Sequence, residues 1–242
     1  MIYITGDLHG DLKEFISRVK PNGSEWTADD KLIVGGDFGL VFDIADENGE
    51  YKDDAKLDYI AEYLPQQILF VSGNHENFDR LYAYPDVPLY GGTAKEIRNG
   101  KIYLLKRGEC YSIEEKSFFA FGGAYSVDRH LRKEGVSWWQ QELPSSVEYR
   151  RAIETIKKYR RFDYVITHTC PERIIYLMKK RPDFHEAELT GFLDWLFTEV
   201  DFKAWYFGHW HIDEEFYDGR ITACFKGVYA IPDISNDEHI NY

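Results

Sequence analysis

The chain has 242 residues, enough for one large domain with a substantial core, and its 18 Tyr, 16 Phe and 6 Trp exclude a disordered polymer. Its formal charge of −13, from 29 Lys and Arg against 42 Asp and Glu, excludes a broad basic surface for nucleic acid. A small nucleotide or a phosphorylated end remains open as a partner, and no run approaches the roughly 18 apolar residues of a membrane span.

In chain order, Ile2–Thr5 predicts a short strand ending at Gly6. Asp11-Leu12-Lys13-Glu14 resembles a capping box and opens an amphipathic helix to about Val19, which Pro21-Asn22-Gly23 ends. Lys31–Gly35 predicts a second buried strand, with Asp37 just past its end. Gly39–Glu50 has the character of an active-site loop closing at Asn48-Gly49. Tyr51–Leu64 predicts a helix, and Ile68–Val71 a third strand that runs into Gly73-Asn74-His75-Glu76. Strand–helix–strand–helix–strand implies parallel strands, and such sheets collect ligands beyond the carboxyl ends of their strands.

The second half reads as more antiparallel. Lys101–Leu105, Glu109–Ile113 and Ser117–Phe121 predict strands between turn residues. Gly122-Gly123 leads into an irregular aromatic and charged stretch, residues 124–143. Ser145-Ser146-Val147-Glu148 is a capping box for a helix to about Arg160. Tyr164–Thr167 predicts a strand ending at His168, Leu189–Thr198 a helix, and Trp205–Phe207 a strand ending at Gly208. Ile221–Phe225 and Lys226–Ala230 predict a closing strand or hairpin. With no repeat or linker, one domain of two layered sheets over residues 1–242 is the expected α/β architecture.

Chemistry concentrates at the strand ends: Gly6-Asp7-Leu8-His9-Gly10, Gly36-Asp37, Gly73-Asn74-His75-Glu76, Thr167-His168 and Gly208-His209-Trp210-His211. In an extended segment residues i and i+2 point to one side, so Asp7 and His9 are expected to share a metal, and His209 and His211 repeat that spacing. Carboxylate, imidazole and amide oxygen suit Mn, Fe, Zn or Co, and Ni is compatible. Cys110, Cys170 and Cys224 are odd in number and far apart, which argues against both a disulfide framework and a thiolate zinc site. A cleaved leader would remove Asp7 and His9, so the chain is expected to be cytoplasmic.

In order and spacing these blocks resemble the calcineurin-like metallophosphoesterases, whose pattern runs G-D-x-H, G-D, G-N-H-[DE], H, G-H-x-H. The resemblance spans residues 6 to 211. It implies a four-layer α/β/β/α sandwich with two mixed β-sheets flanked by helices and a dinuclear centre at the strand ends. By the same resemblance Asp7, His9 and His211 hold one metal, and Asn74, His168 and His209 hold the other. Asp37 bridges the two, and His75 acts on the substrate. The implied cofactor is a pair of divalent ions, Mn first. The implied activity is hydrolysis of a phosphomonoester or phosphodiester by a metal-bridging hydroxide.

One departure bears on substrate. Protein Ser/Thr phosphatases of this superfamily carry G-D-x-x-D-R-G as their second block, whereas here Gly36-Asp37 continues Phe38-Gly39-Leu40-Val41 without the arginine. The 124–143 stretch is the expected replacement, with Tyr125, Arg129 and Arg132 as candidate substrate-binding residues. The alternatives are a nuclease or nucleic-acid-end phosphatase, a protein Ser/Thr phosphatase-like enzyme, and a non-catalytic scaffold. The filled set of ligand positions argues against the scaffold.

Overall fold

The computed structural model describes residues 1–19 and 26–231. Pro21-Asn22-Gly23, expected to end the first helix, lies outside the described residues. The strands are β1 (Ile2–Thr5), β2 (Lys31–Val34), β3 (Gln67–Phe70), β4 (Asp86–Leu89), β5 (Gly92–Arg98), β6 (Ile102–Leu105), β7 (Glu109–Ile113), β8 (Lys116–Phe121), β9 (Arg161–Thr167), β10 (Asp201–Phe207), β11 (Glu214–Phe216), β12 (Ile221–Ala223) and β13 (Val228–Ala230). The helices are α1 (Leu12–Val19), α2 (Asp54–Tyr63), α3 (Phe78–Ala83), α4 (Ser146–Tyr159), α5 (Glu172–Leu177) and α6 (Ala187–Glu199).

Two mixed sheets result. One has the order β13-β1-β2-β3-β6-β5-β4, the other β11-β12-β10-β9-β8-β7. In the first, β1, β2, β3 and β6 are mutually parallel. In the second, β12, β10, β9 and β8 are parallel, and only β7 and β11 run against their neighbours. The antiparallel character expected of the second half is thus confined to that sheet's edges and to β4–β5–β6 and β13 in the first. Of the closing strand or hairpin expected over 221–230, strands form but not a hairpin: β12 joins the second sheet, while β13 crosses to pair with β1 in the first.

Side-chain alternation builds the layers. On β2 and β3, Leu32, Val34, Ile68 and Phe70 face outward onto Phe15, Leu57, Ile60 and Phe78 of α1, α2 and α3. Ile33, Leu69 and Val71 point the other way and meet Phe118, Ala120, Tyr164 and Ile166 of the second sheet. The outer face of that sheet, with Phe119, Phe121, Phe162 and Trp205, packs on Ile156, Ile174, Leu189 and Leu193 of α4, α5 and α6. Three apolar cores between four layers make the α/β/β/α sandwich. Asp11 Oδ1 accepts the N–H groups of Lys13 and Glu14, so α1 is capped, but the Glu14 side chain turns to Arg18 and does not close the box. The Ser145–Glu148 box on α4 is complete. Among the described residues no helix is long and apolar enough to cross a membrane.

Candidate metal centre

The carboxyl ends of β1, β2 and β3 from one sheet and of β9 and β10 from the other meet at one edge of the sandwich. Backbone bonds stitch the loops together: Leu8 and His9 N–H donate to Asp37 O at 2.9 Å each, and Gly208 N–H donates to His168 O at 2.9 Å. His209 N–H donates to Asp7 Oδ1 at 2.9 Å. His9, Asp37, His209 and His211 all sit at positive φ, +48°, +47°, +68° and +53°. That conformation costs a non-glycine residue about 1–2 kcal/mol and persists only where the surroundings impose it. The segments are therefore not extended, and the i, i+2 expectation needs correction. Asp7 and His9 do converge, with Oδ2 and Nε2 3.8 Å apart, but through a left-handed turn. His209 and His211 do not share a direction, since one ring meets His168 and the other meets His9.

The first cluster is Asp7, His9 and His211, whose ligand atoms lie within 4.8 Å of one another. His211 Nε2 is 3.0 Å from His9 Nε2 and 3.0 Å from Asp7 Oδ2. Asp7 Oδ2 is buried and accepts no well-formed hydrogen bond, with His211 Nε2 3.0 Å away. A buried carboxylate oxygen without a well-formed hydrogen bond costs on the order of 1–3 kcal/mol or more, a cost that a cation removes.

The second cluster surrounds His168, which is fully buried. Its Nδ1 lies 2.8 Å from Gly35 O and donates there, leaving Nε2 to face Asn74 Oδ1 at 3.2 Å and Asp37 Oδ1 at 3.4 Å. A carbonyl partner of this kind fixes tautomer and ring angle for a ligating histidine. Burial opposes charge on His168, but Asp37 outweighs it and raises the pKa to about 10. A cation reaching Nε2 therefore displaces a proton. Burial, aided by His168, pushes His209 down to about 3, so its ring stays neutral.

Asp37 stands between the clusters. Its Oδ1 accepts the N–H groups of Asn74 at 2.7 Å and His75 at 2.8 Å, and its Oδ2 lies 3.6 Å from His9 Nδ1. Burial works against its charge, but His168, with His75 and His9, holds the carboxyl well below the usual range. Gly73 permits this closeness, because a Cβ there would fall 2.0 Å from Asp37 Oδ1. At Gly208 a Cβ would fall 2.3 Å from Asp7 Oδ1.

Several further residues support the loops, and of these only Glu76 stands in one of the sequence blocks. Buried Arg18 donates to Thr5 Oγ1, Gly6 O, Asp7 O and Phe225 O and so clamps the first loop. Glu76 accepts from Gly73 N at 2.8 Å and Gly39 N at 3.4 Å, joining two loops. Burial, with Asp37 beside it, raises its pKa to about 8. Trp139, buried, donates Nε1 to Asp79 at 3.0 Å.

His75 lies at the rim, its Nε2 4.0 Å from Asp37 Oδ2 and its ring edge-on to His9. Glu76 and Asp79 are engaged as described, and Asp43 offers its backbone carbonyl to Asn77. The group lying against the ring is Arg132, with Nη1 3.4 Å from Nδ1 and Nη2 3.3 Å from Nε2. The other two substrate-side candidates point elsewhere. Arg129 is bound to Glu142 and sandwiched between the Tyr125 and Trp138 rings, 4.3 Å from each centroid. Tyr125 also stacks on His185.

The structure thus gathers Asp7, His9, Asp37, Asn74, His168, His209 and His211 at one place. A buried oxygen without a well-formed hydrogen bond, a histidine locked in one tautomer and an all-N/O donor set fit divalent cations. A family model for calcineurin-like phosphoesterases matches residues 1–213. No curated protein matches the chain. A solved structure from Staphylococcus aureus, named by inference as a 5′-nucleotidase and in complex with alpha-ketoglutarate, aligns at 18% identity and a TM-score of 0.48. That alignment covers 94% of this chain and 49% of the other, so the chain spans about half its length. With the family model covering most of its length, the chain belongs to the calcineurin-like phosphoesterases.

Proposed function

We propose that the chain is a divalent-metal-dependent hydrolase of phosphate monoesters or diesters. Asp7, His9 and His211 hold one cation, and Asn74, His168 and His209 hold a second, with Mn the first choice of metal. Asp37, whose carboxylate faces both clusters, is shared. Such cations supply Lewis acidity, neutralising phosphate oxygens and making water a competent nucleophile near neutral pH.

The protein groups around them have separable roles. Arg132, already at the rim beside His75, offers a planar fork for the phosphoryl oxygens and takes the place of the arginine missing after Asp37. His75 hands a proton to the departing oxygen. Burial pushes its pKa down, with Asp37 opposing and Arg132 adding to the fall. A lower pKa makes the protonated ring a stronger acid and a less abundant one near neutral pH. Gly35, Arg18 and Glu76 hold the ligand loops at fixed spacing.

The observation that carries this reading is the convergence of six N/O donor residues from four other strand ends on Asp37. The test is to strip the purified protein of metal, reload it with Mn²⁺, and assay p-nitrophenyl phosphate and bis-p-nitrophenyl phosphate. Activity on one or both that returns with the metal supports it. A reloaded protein inert toward both overturns it.

A further inference from the structure

We propose that Glu142 and Ser126 are positioning residues for Asn74, fixing by hydrogen-bond polarity which end of its amide faces the metal centre. The inference rests on the reading of Asn74 as a ligand.

The two ends of an asparagine side chain are nearly equal in size but opposite in chemistry. Only Oδ1 can bind a cation, whereas the NH₂ end repels one. Something must decide between the orientations, and the choice is made in a buried place: Asn74 is 5% exposed, Ser126 2% and Glu142 0%. On the centre's side, among the described residues, Oδ1 meets only His168 Nε2, at 3.2 Å. Once a cation occupies that nitrogen's lone pair, His168 no longer donates there and cannot discriminate.

The other side can. Asn74 Nδ2 donates to Ser126 Oγ at 3.1 Å. A hydroxyl has one proton, and Ser126 Oγ gives it to Glu142 Oε2 at 2.9 Å. An ionised carboxylate only accepts, so the hydroxyl is left with lone pairs for Asn74 and must receive the NH₂ end. The remaining partners of Glu142 are donors as well: Oε1 accepts Ser126 N at 2.6 Å, Arg129 Nε at 2.9 Å and Arg129 Nη2 at 2.6 Å. Burial pushes the Glu142 carboxyl up, and the Ser126 amide and Arg129 oppose that rise. Arg107 anchors the segment by donating to Gln141 O at 2.9 Å and Glu142 O at 3.0 Å. The residue 124–143 stretch thus reaches the centre through Asn74 as well as over its rim through Arg132.

The test measures Mn²⁺ binding by calorimetry and counts bound metal by elemental analysis in wild type, Ser126→Ala, Glu142→Gln, Asn74→Asp and the Asn74→Asp/Ser126→Ala double variant. Ser126→Ala and Glu142→Gln are expected to weaken one of two ions by about 10–100-fold, the usual cost of losing a group that orients a ligand. Asp at position 74 has acceptors at both ends and no wrong orientation, so in that background Ser126→Ala is expected to cost nothing. A purely structural role for Ser126 would cost the same in both backgrounds, and that result overturns the proposal. So does unchanged affinity in both single variants when wild type binds two ions. Wild-type protein that takes up no Mn²⁺ overturns the functional reading first, and this inference with it.

Discussion

The guanidinium of Arg132 lies across the ring of His75, with one nitrogen 3.4 Å from Nδ1 and the other 3.3 Å from Nε2. Asp128, 2.8 Å from Arg132 Nε, and the Ser137 carbonyl at 3.2 Å hold it there. Arg132→Ala is expected to lower kcat/KM by about 10–100-fold, the worth of a charged hydrogen-bond pair to phosphate. Metal content should not change. Arg132→Lys should recover only part of the loss, because a point charge cannot reproduce the fork. Steady-state kinetics on an aryl phosphate, with metal counted in each sample, checks this.

His75 and Asp37 are neighbours with different expected failures. The His75 ring lies with His9 and Asp37, their ligand atoms within 4.8 Å of one another, whereas Asp37 faces both clusters and binds the Asn74 and His75 amides. His75→Ala should retain both ions and lose about 10²–10⁴-fold in kcat, the usual contribution of a positioned acid. Asp37→Ala should lose metal as well as activity. Loss of metal from His75→Ala would show that its ring is a ligand and not the acid.

The strand ends that carry the centre were legible because an apolar run followed by glycine is a strong local signal. Val34 before Gly35-Gly36 and Phe207 before Gly208 are of that kind. The stretch between Phe78 and Arg98 was not legible. There α3 is only six residues, β4 carries Pro88, and the β4–β5 turn uses Tyr90-Gly91 at φ +50° and +82°. A tyrosine in the left-handed region is not the Asn or Asp that marks such turns in sequence. In the centre itself, the candidate ligands stand in motifs, but most of their support does not, Glu76 excepted. Arg18, Glu76 and Glu142 are residue types usually found on surfaces. Their burial depends on segments outside their own, such as Phe225 for Arg18 and Arg107 for Glu142.

Gly73→Ala tests whether the closeness of the loops matters to the centre itself. The added methyl would fall 2.0 Å from Asp37 Oδ1 and 2.4 Å from its backbone nitrogen. Gly73 is not at positive φ, so the whole effect is steric. The Asp37 carboxylate must move, and overpacking of this kind costs about 1–3 kcal/mol. Weaker Mn²⁺ binding with a lower melting temperature is expected. Wild-type metal affinity in this variant would show that Asp37 tolerates displacement.

Glu186 should make stability fall with rising pH. It is 3% exposed and accepts the Tyr125 N–H at 3.0 Å, and burial raises its pKa to about 7 against that bond. Its unfolded value is near 4.5. Between the two values the folded chain keeps a proton that the unfolded chain releases, so proton linkage favours unfolding as pH rises. The contribution is fully present below about pH 4.5 and is lost by the time pH has passed about 7, a swing of about 3 kcal/mol. Glu186→Gln keeps an oxygen for Tyr125 and carries no charge. In metal-free protein, urea unfolding at pH 5 and pH 8 should show the variant near wild type at the lower pH and more stable at the higher. Equal stability of the two proteins at pH 8 would mean that Glu186 ionises in the fold without penalty.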